Sequence, residues 1–150
     1  MLKARIDQDL KTALLAGDKV LATTLRGLKS VILYAEVAKG TREQGLGDED
    51  IVVLLSKEAK KRQESADLYQ QGGNQEKAEA ELTEKKVIEA YLPSQMSDDD
   101  LAKLVADTID ELGVSGPSAM GQVIGAVKQK AGAQADGSRI AQLVKTSLGI

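Results

Sequence analysis

At 150 residues, with 42% hydrophobic and 29% charged side chains, the chain is long enough for one globular domain or two small ones and too apolar to stay disordered. It has no cysteine and no histidine, which excludes zinc sites built on thiolate or imidazole, cysteine nucleophiles and every Ser-His or Cys-His relay. The net charge of -3 sets up no global attraction to phosphate backbones, and the only aromatics are Tyr34, Tyr69 and Tyr91, so the core must be aliphatic and any nucleic-acid contact needs a local basic patch.

The N-terminal MLKARIDQDL is charged from its third residue and has no apolar signal region, while the densest apolar run, Ile51 to Leu55, is far too short to span a bilayer. The expectation is a soluble cytoplasmic protein without membrane association. Leu2, Ile6, Leu10 and Ala13 recur at helical spacing, and Gly17-Asp18 supplies a terminating glycine followed by a capping carboxylate. A second helix follows from Asp18 with Leu21, Leu25, Leu28, Ile32 and Ala35 as its stripe, widened by Val20, Thr24 and Val31, ending at Gly40.

After the polar loop TREQGLG, Asp48 is the expected cap of a third helix whose stripe runs from Val52 and Leu55 through Ala59, Ala66 and Tyr69, with Arg62 on or beside it. Asn74 then caps a fourth helix carrying Ala78, Leu82, Ile88 and Leu92, and Pro93 forbids helical geometry at Leu92. The short QQGGNQ connection makes helices three and four an antiparallel hairpin.

Ser97 with Asp100 and the Met96/Leu101 staple specify a new helix start, so Asp98, Asp99 and Asp100 read as first-turn charges favoured by the helix dipole. As a metal site the three aspartates lack EF-hand spacing and its glycine. The fifth helix buries Leu101, Leu104, Val105, Ile109 and Leu112, and Gly113-Val114 fits a Schellman ending. Gly116-Pro117 opens a sixth helix with Met120, Val123, Ile124 and Val127, whose Gly121 and Gly125 leave a smooth side. The loop AGAQADG leads to a last helix with Ile140, Leu143, Val144 and Leu148. No window alternates with period two, so the fold class is all-α and multihelical: a four-helix part over residues 1–93 and a three-helix part over 94–150.

No phosphate-binding P-loop or dinucleotide fingerprint occurs, and no cofactor or metal ligand set is present. The one concentrated basic group is Lys57, Lys60, Lys61 and Arg62, read either as a phosphate-gripping face or as a solvated face balanced by Glu58, Glu64 and Asp67. Arg26 and Lys29 lie at the margin of an apolar helix, where a structural ion pair competes with a ligand contact. Tyr69 and Tyr91 could offer rings to unstacked bases, but their stripe positions favour packing. In the tail, Lys128, Lys130, Arg139 and Lys145 surround a helix start at Asp136-Gly137. The free N–H groups there can meet a phosphate unless Asp136 already caps them.

In TLRGLKS, KEAKKRQES, EAYLP, and MGQVIGAV with ADG, the chain resembles the GatB/YqeY family over nearly its whole length. The resemblance implies two all-α subdomains, the second similar to the tail module of the GatB subunit of tRNA-dependent amidotransferase, a module associated with gripping tRNA. It implies nucleic-acid contacts by Lys57, Lys60, Lys61 and Arg62 in the larger part and by Lys128, Lys130 and Arg139 near the ADG loop, with Met120 and Gly121 architectural. The chain departs from the family pattern at Asn74, Ala119, Gln122 and Gln134, three of which stand where a basic residue is usual and Ala119 where an aspartate is usual. The losses of positive charge lower the number of phosphates the chain can neutralise.

Three functions follow as expectations: a non-catalytic tRNA-binding accessory module, a module that docks on an aminoacyl-tRNA synthetase or amidotransferase component, and carbon-nitrogen ligase chemistry with glutamine as amide donor. The last needs an amidase nucleophile and an ATP-dependent carboxylate-activating site, and neither has a motif here. The sequence leaves the oligomeric state open.

Overall fold

The computed structural model describes residues 1–150. Seven α-helices, α1 (Leu2–Ala16), α2 (Lys19–Lys39), α3 (Asp48–Gln71), α4 (Gln75–Glu89), α5 (Asp98–Leu112), α6 (Met120–Ala131) and α7 (Gly137–Ser147), form the chain with two short 3₁₀ turns and no strand. The all-α expectation holds. Two compact units result, Met1–Leu92 and Pro93–Ile150. No helix is long and apolar enough to cross a membrane.

In the first unit, α1, α2 and the N-terminal half of α3 converge on Ile6, Leu10, Leu25, Leu28, Ile32, Ile51 and Leu55, joined by Ile88 from the end of α4 and Tyr91 just beyond it. Gly17 is left-handed, and the amide of Asp18 closes back onto the Ala13 carbonyl while its carboxylate accepts from Leu21 N–H, so two adjacent residues end one helix and start the next. Two readings change. The α3 stripe begins at Ile51 rather than Val52, because the helix turns Ile51, Leu55 and Ala59 inward. Asp48 is the first helical residue, not the cap, and its carboxylate accepts instead from the Leu2 amide at 3.0 Å and lies 3.2 Å from the N-terminal amine. Those contacts, led by the Leu2 amide, hold the Asp48 carboxyl below its ordinary range.

Helices α3 and α4 form the most extensive helix pair of the chain. Toward the QQGGNQ turn the hairpin has no large side chain to bury: Ala66 and Ala78, both fully buried, let the two backbones approach. Asn74 caps α4 through the Lys77 amide. The helix ends at Glu89, three residues before Leu92.

In the second unit, α5, α6 and α7 enclose Leu101, Val105, Val123, Val127, Ile140 and Val144, with Met96 and Leu104 packed against them. The Ser97 hydroxyl accepts from Asp100 N–H, as the staple and cap pattern anticipates. Gly113 closes α5 through bonds from its own amide to the Ile109 and Asp110 carbonyls, with no further bond from the Val114 amide, so the ending is a left-handed cap rather than a full Schellman motif. Gly116-Pro117 opens a 3₁₀ turn, Pro117–Ala119, before α6 begins at Met120.

Candidate nucleic-acid interface

The core side of α3 is fixed by Ile51, Leu55, Ala59 and Ala66, and helical geometry decides which basic residues of that helix are free. Lys57 and Lys60 point away from the core, are exposed and have no ion partner. Lys61 is exposed as well, but its amine lies 3.2 Å from Glu58 on the preceding turn. Arg62 falls on the core side, as its stripe position suggests. Its guanidinium Nε is 2.8 Å from Glu84 and 3.8 Å from Glu81 across the hairpin, and Nη1 is 3.6 Å from Glu58. Three carboxylates therefore surround one guanidinium that is only a quarter exposed. Arg62 clamps α3 to α4, and phosphate would have to displace that network.

The same division runs through the second unit. Lys130 donates to Glu111 at 2.6 Å and to the buried Thr108 hydroxyl at 3.2 Å, which ties the end of α6 to α5. Arg139 donates from Nη2 to the Met96 carbonyl at 2.8 Å and to Asp98 at 2.9 Å, holding the first turn of α7 against the start of α5. Lys128 has no ion partner. Its amine lies against the first turn of α7, where a Cβ at Gly137 would come within 3.2 Å of Lys128 Cε and 3.3 Å of Nζ. Asp136 caps α7 by accepting the Arg139 N–H at 2.8 Å, while the amides of Gly137 and Ser138 have no partner in the chain. An ammonium and two unpaired helix-start amides thus converge at one place, the arrangement that suits an anionic oxygen.

The tyrosines are not displayed to bases in the way their chemistry allows. Tyr69 is half-buried beneath the Lys77 amine, 5.7 Å from its ring centroid. Tyr91, from EAYLP, is buried and donates its hydroxyl to Asp9 of α1, with the Arg5 guanidinium 4.7 Å over its ring and Arg5 Nη2 3.4 Å from the Ala90 carbonyl. It forms one wall of an open cleft of about 370 Å³, lined also by Ala13, Leu21 and Val87. Burial first, and then the bond to Asp9, push the phenol well above its ordinary range. Asp9 and Arg5 carry no sequence signal for this role, since the partner lies 82 residues away.

Sequence comparison places these features in a family. A profile for Yqey-like proteins matches residues 3–148. The chain belongs to the YqeY-like family. Two curated proteins resemble it: altered inheritance of mitochondria protein 41, mitochondrial, of Eremothecium gossypii is 33% identical over 89 residues, covering 59% of this chain and 48% of that protein. The protein of the same name from Clavispora lusitaniae is 27% identical over 113 residues, covering 74% of this chain and 64% of that protein. This YqeY-like chain thus spans about half to two-thirds the length of the curated relatives it matches.

Of the seven basic residues that the family resemblance nominates, Lys57, Lys60 and Lys128 have no carboxylate partner, the exposed Lys61 pairs with the buried Glu58, and Arg62, Lys130 and Arg139 are committed to internal contacts. The Asp98-Asp99-Asp100 run gathers no metal-binding group, and Asp98 pairs with Arg139 instead.

Proposed function

We propose that this YqeY-like chain is a cytoplasmic, non-catalytic accessory module that binds tRNA weakly through phosphate contacts. The reading is carried by one observation, the Lys128 amine set against the first turn of α7 beside the unpaired amides of Gly137 and Ser138. Lys57 and Lys60 on the outer face of α3 supply the remaining free cations of the nominated set. The resemblance of the second unit to the GatB tail module directs the choice of tRNA among phosphate-bearing partners.

Three free lysines set the scale. Each phosphate contact contributes a slope of about -0.9 to log K against log salt, so binding that uses all three weakens on the order of 40-fold between 50 and 200 mM salt. Titration of bulk tRNA over that range tests this. Lys128→Ala and the pair Lys57→Ala/Lys60→Ala are each expected to reduce affinity and to flatten the slope by about one for each lysine removed. Arg62→Ala serves as the contrast: loss of fold stability with an unchanged salt slope. Absence of any tRNA shift at low salt would refute the reading, and glutamine-dependent amidation of mischarged tRNA by this protein alone would replace it with the ligase reading.

A further inference from the structure

The stretch TLRGLKS holds two basic residues three apart, Arg26 and Lys29, and they have different surroundings. Lys29 pairs with Asp7 of α1 at 2.7 Å, and farther from the corner between the helices Lys3 pairs with Glu36, also at 2.7 Å. Those two bridges set α1 and α2 antiparallel, with these flanks facing each other. One turn closer to the Gly17-Asp18 corner, the same flanks present Lys11 from α1 and Arg26 from α2. Both are exposed, and neither has a carboxylate within ion-pair distance. Two complementary rungs are thus followed by one that sets cation beside cation, a repulsion that an anion held between them would relieve. The neighbouring carboxylates are engaged elsewhere: Asp7 is held by Lys29, and Asp9 and Asp18 line the cleft at Tyr91.

Arg26 also belongs to a ridge that runs along α2. Lys19, Thr23, Arg26, Ser30 and Tyr34 succeed one another at three- and four-residue steps, and all five are exposed. Lys19, like Arg26, has no carboxylate partner. The hydroxyls of Thr12, Thr24, Thr83, Thr108 and Thr146 each donate to the carbonyl four residues back, whereas those of Thr23 and Ser30 have no partner in the chain. Tyr34 is 77% exposed, the most open of the three tyrosines, and unlike Tyr69 and Tyr91 it has no cation over its ring. The ridge therefore offers two cations, two free hydroxyls and one open aromatic ring over about 22 Å.

We propose that the α1–α2 hairpin binds a single strand of nucleic acid, with phosphates over Lys11, Arg26 and Lys19 and one unstacked base on the ring of Tyr34. The chemistry of each position selects this partner. Cations and hydroxyls donate to phosphate and sugar oxygens and fix the course of a strand. An open ring at the end of such a row takes a base face, whatever the base. Free phosphate or a lipid headgroup would use the cations and leave the ring idle, and a duplex keeps its base faces stacked away from it. The surface lies wholly in the first unit and uses none of the seven nominated basic residues. It adds a contact region to the tRNA reading without depending on the Lys128 site.

Titration of a short labelled oligouridylate with the full chain tests this. Three phosphate contacts on a single strand give a slope of about -2 in log K against log salt, a loss on the order of 20-fold between 50 and 200 mM salt. Lys11→Ala/Arg26→Ala is expected to flatten that slope by about 1.4. Tyr34→Ala should lower affinity on the order of tenfold with the slope unchanged, and Tyr34→Phe should bind as wild type does. Circular dichroism should show each variant folded, since none of these side chains lies in the core or holds an ion pair. Lys57→Ala/Lys60→Ala/Lys128→Ala should bind the oligouridylate as tightly as wild type. Absence of oligouridylate binding at low salt, a wild-type slope in Lys11→Ala/Arg26→Ala, or a loss of binding in the triple lysine variant would each overturn the proposal. Wild-type affinity in Tyr34→Ala would overturn it too, and reduce the surface to a phosphate site that inorganic phosphate or anionic vesicles would also occupy. Oligouridylate binding without a tRNA shift would refute the tRNA reading alone, and tRNA binding without oligouridylate binding would refute this inference alone.

Discussion

Glu36 is 1% exposed, and the Lys3 amine, 2.7 Å away, is its one side-chain partner. It stands four residues beyond Ile32 on the core stripe of α2, where periodicity alone asks for an aliphatic side chain. A carboxylate taken out of water needs that ammonium, and removing the ammonium leaves the charge uncompensated. Lys3→Met is therefore expected to destabilise the fold by about 3 kcal/mol, at the low end of the range for breaking buried pairs because water still reaches the lysine. Glu36→Leu in the same chain should recover most of the loss, since it removes the stranded charge. Urea unfolding checks both: the midpoint should fall and then recover with an unchanged slope. A single variant as stable as the wild type would show that Glu36 does not depend on Lys3.

At the scale of elements, the Tyr91 hydroxyl joins the chain just beyond α4 to α1 through Asp9. Tyr91→Phe keeps the ring beneath Arg5 and deletes only the hydroxyl, an expected loss of about 1.5 kcal/mol for a hydrogen bond to a charged acceptor. The pH dependence has a definite sign. The folded phenol ionises well above the unfolded one, so its contribution is complete below pH about 10 and fades as pH rises toward the folded value. Denaturant midpoints for wild type and Tyr91→Phe should differ at neutral pH and converge above pH about 10, and a constant difference across that window would exclude the assignment.

The same bond marks what the sequence could reveal about these elements. Asp18, Asn74, Ser97 and Asp136 cap the helices they precede because a cap acts within three residues, and the aliphatic stripes mark which side of each helix is buried. A stripe does not say which neighbour covers it. Arg62 with Glu81 and Glu84, Arg139 with Asp98, Lys130 with Glu111 and Tyr91 with Asp9 each join separate helices or their flanks, so the division of the basic residues into free and committed ones emerges only from the packing. Lys57 and Lys60 could be read as exposed from their place opposite the stripe; the position of Lys128 over Gly137 could not, because it depends on how α6 and α7 meet.

For the whole molecule, the two apolar clusters share no residue: one draws only on residues before Pro93 and the other only on residues after it. Each unit therefore carries its own core, and the second also carries its own start signals, the Ser97 cap and the Arg139 bonds to Met96 and Asp98. A fragment of residues 93–150 is accordingly expected to unfold cooperatively, though with the marginal stability of a small aliphatic core. Ser97→Ala should cost it about 1 kcal/mol, a shift of roughly 4–8 °C in midpoint if it behaves as a domain of 60–100 residues. In the full chain, Ser97→Ala should speed hydrogen exchange in α5, α6 and α7 and leave α1 and α2 at their wild-type rates, because the destabilised core contains no side chain from them. Equal acceleration in α1 and α2 would mean that the two units unfold as one, and that the break at Pro93 divides the structure without dividing its stability.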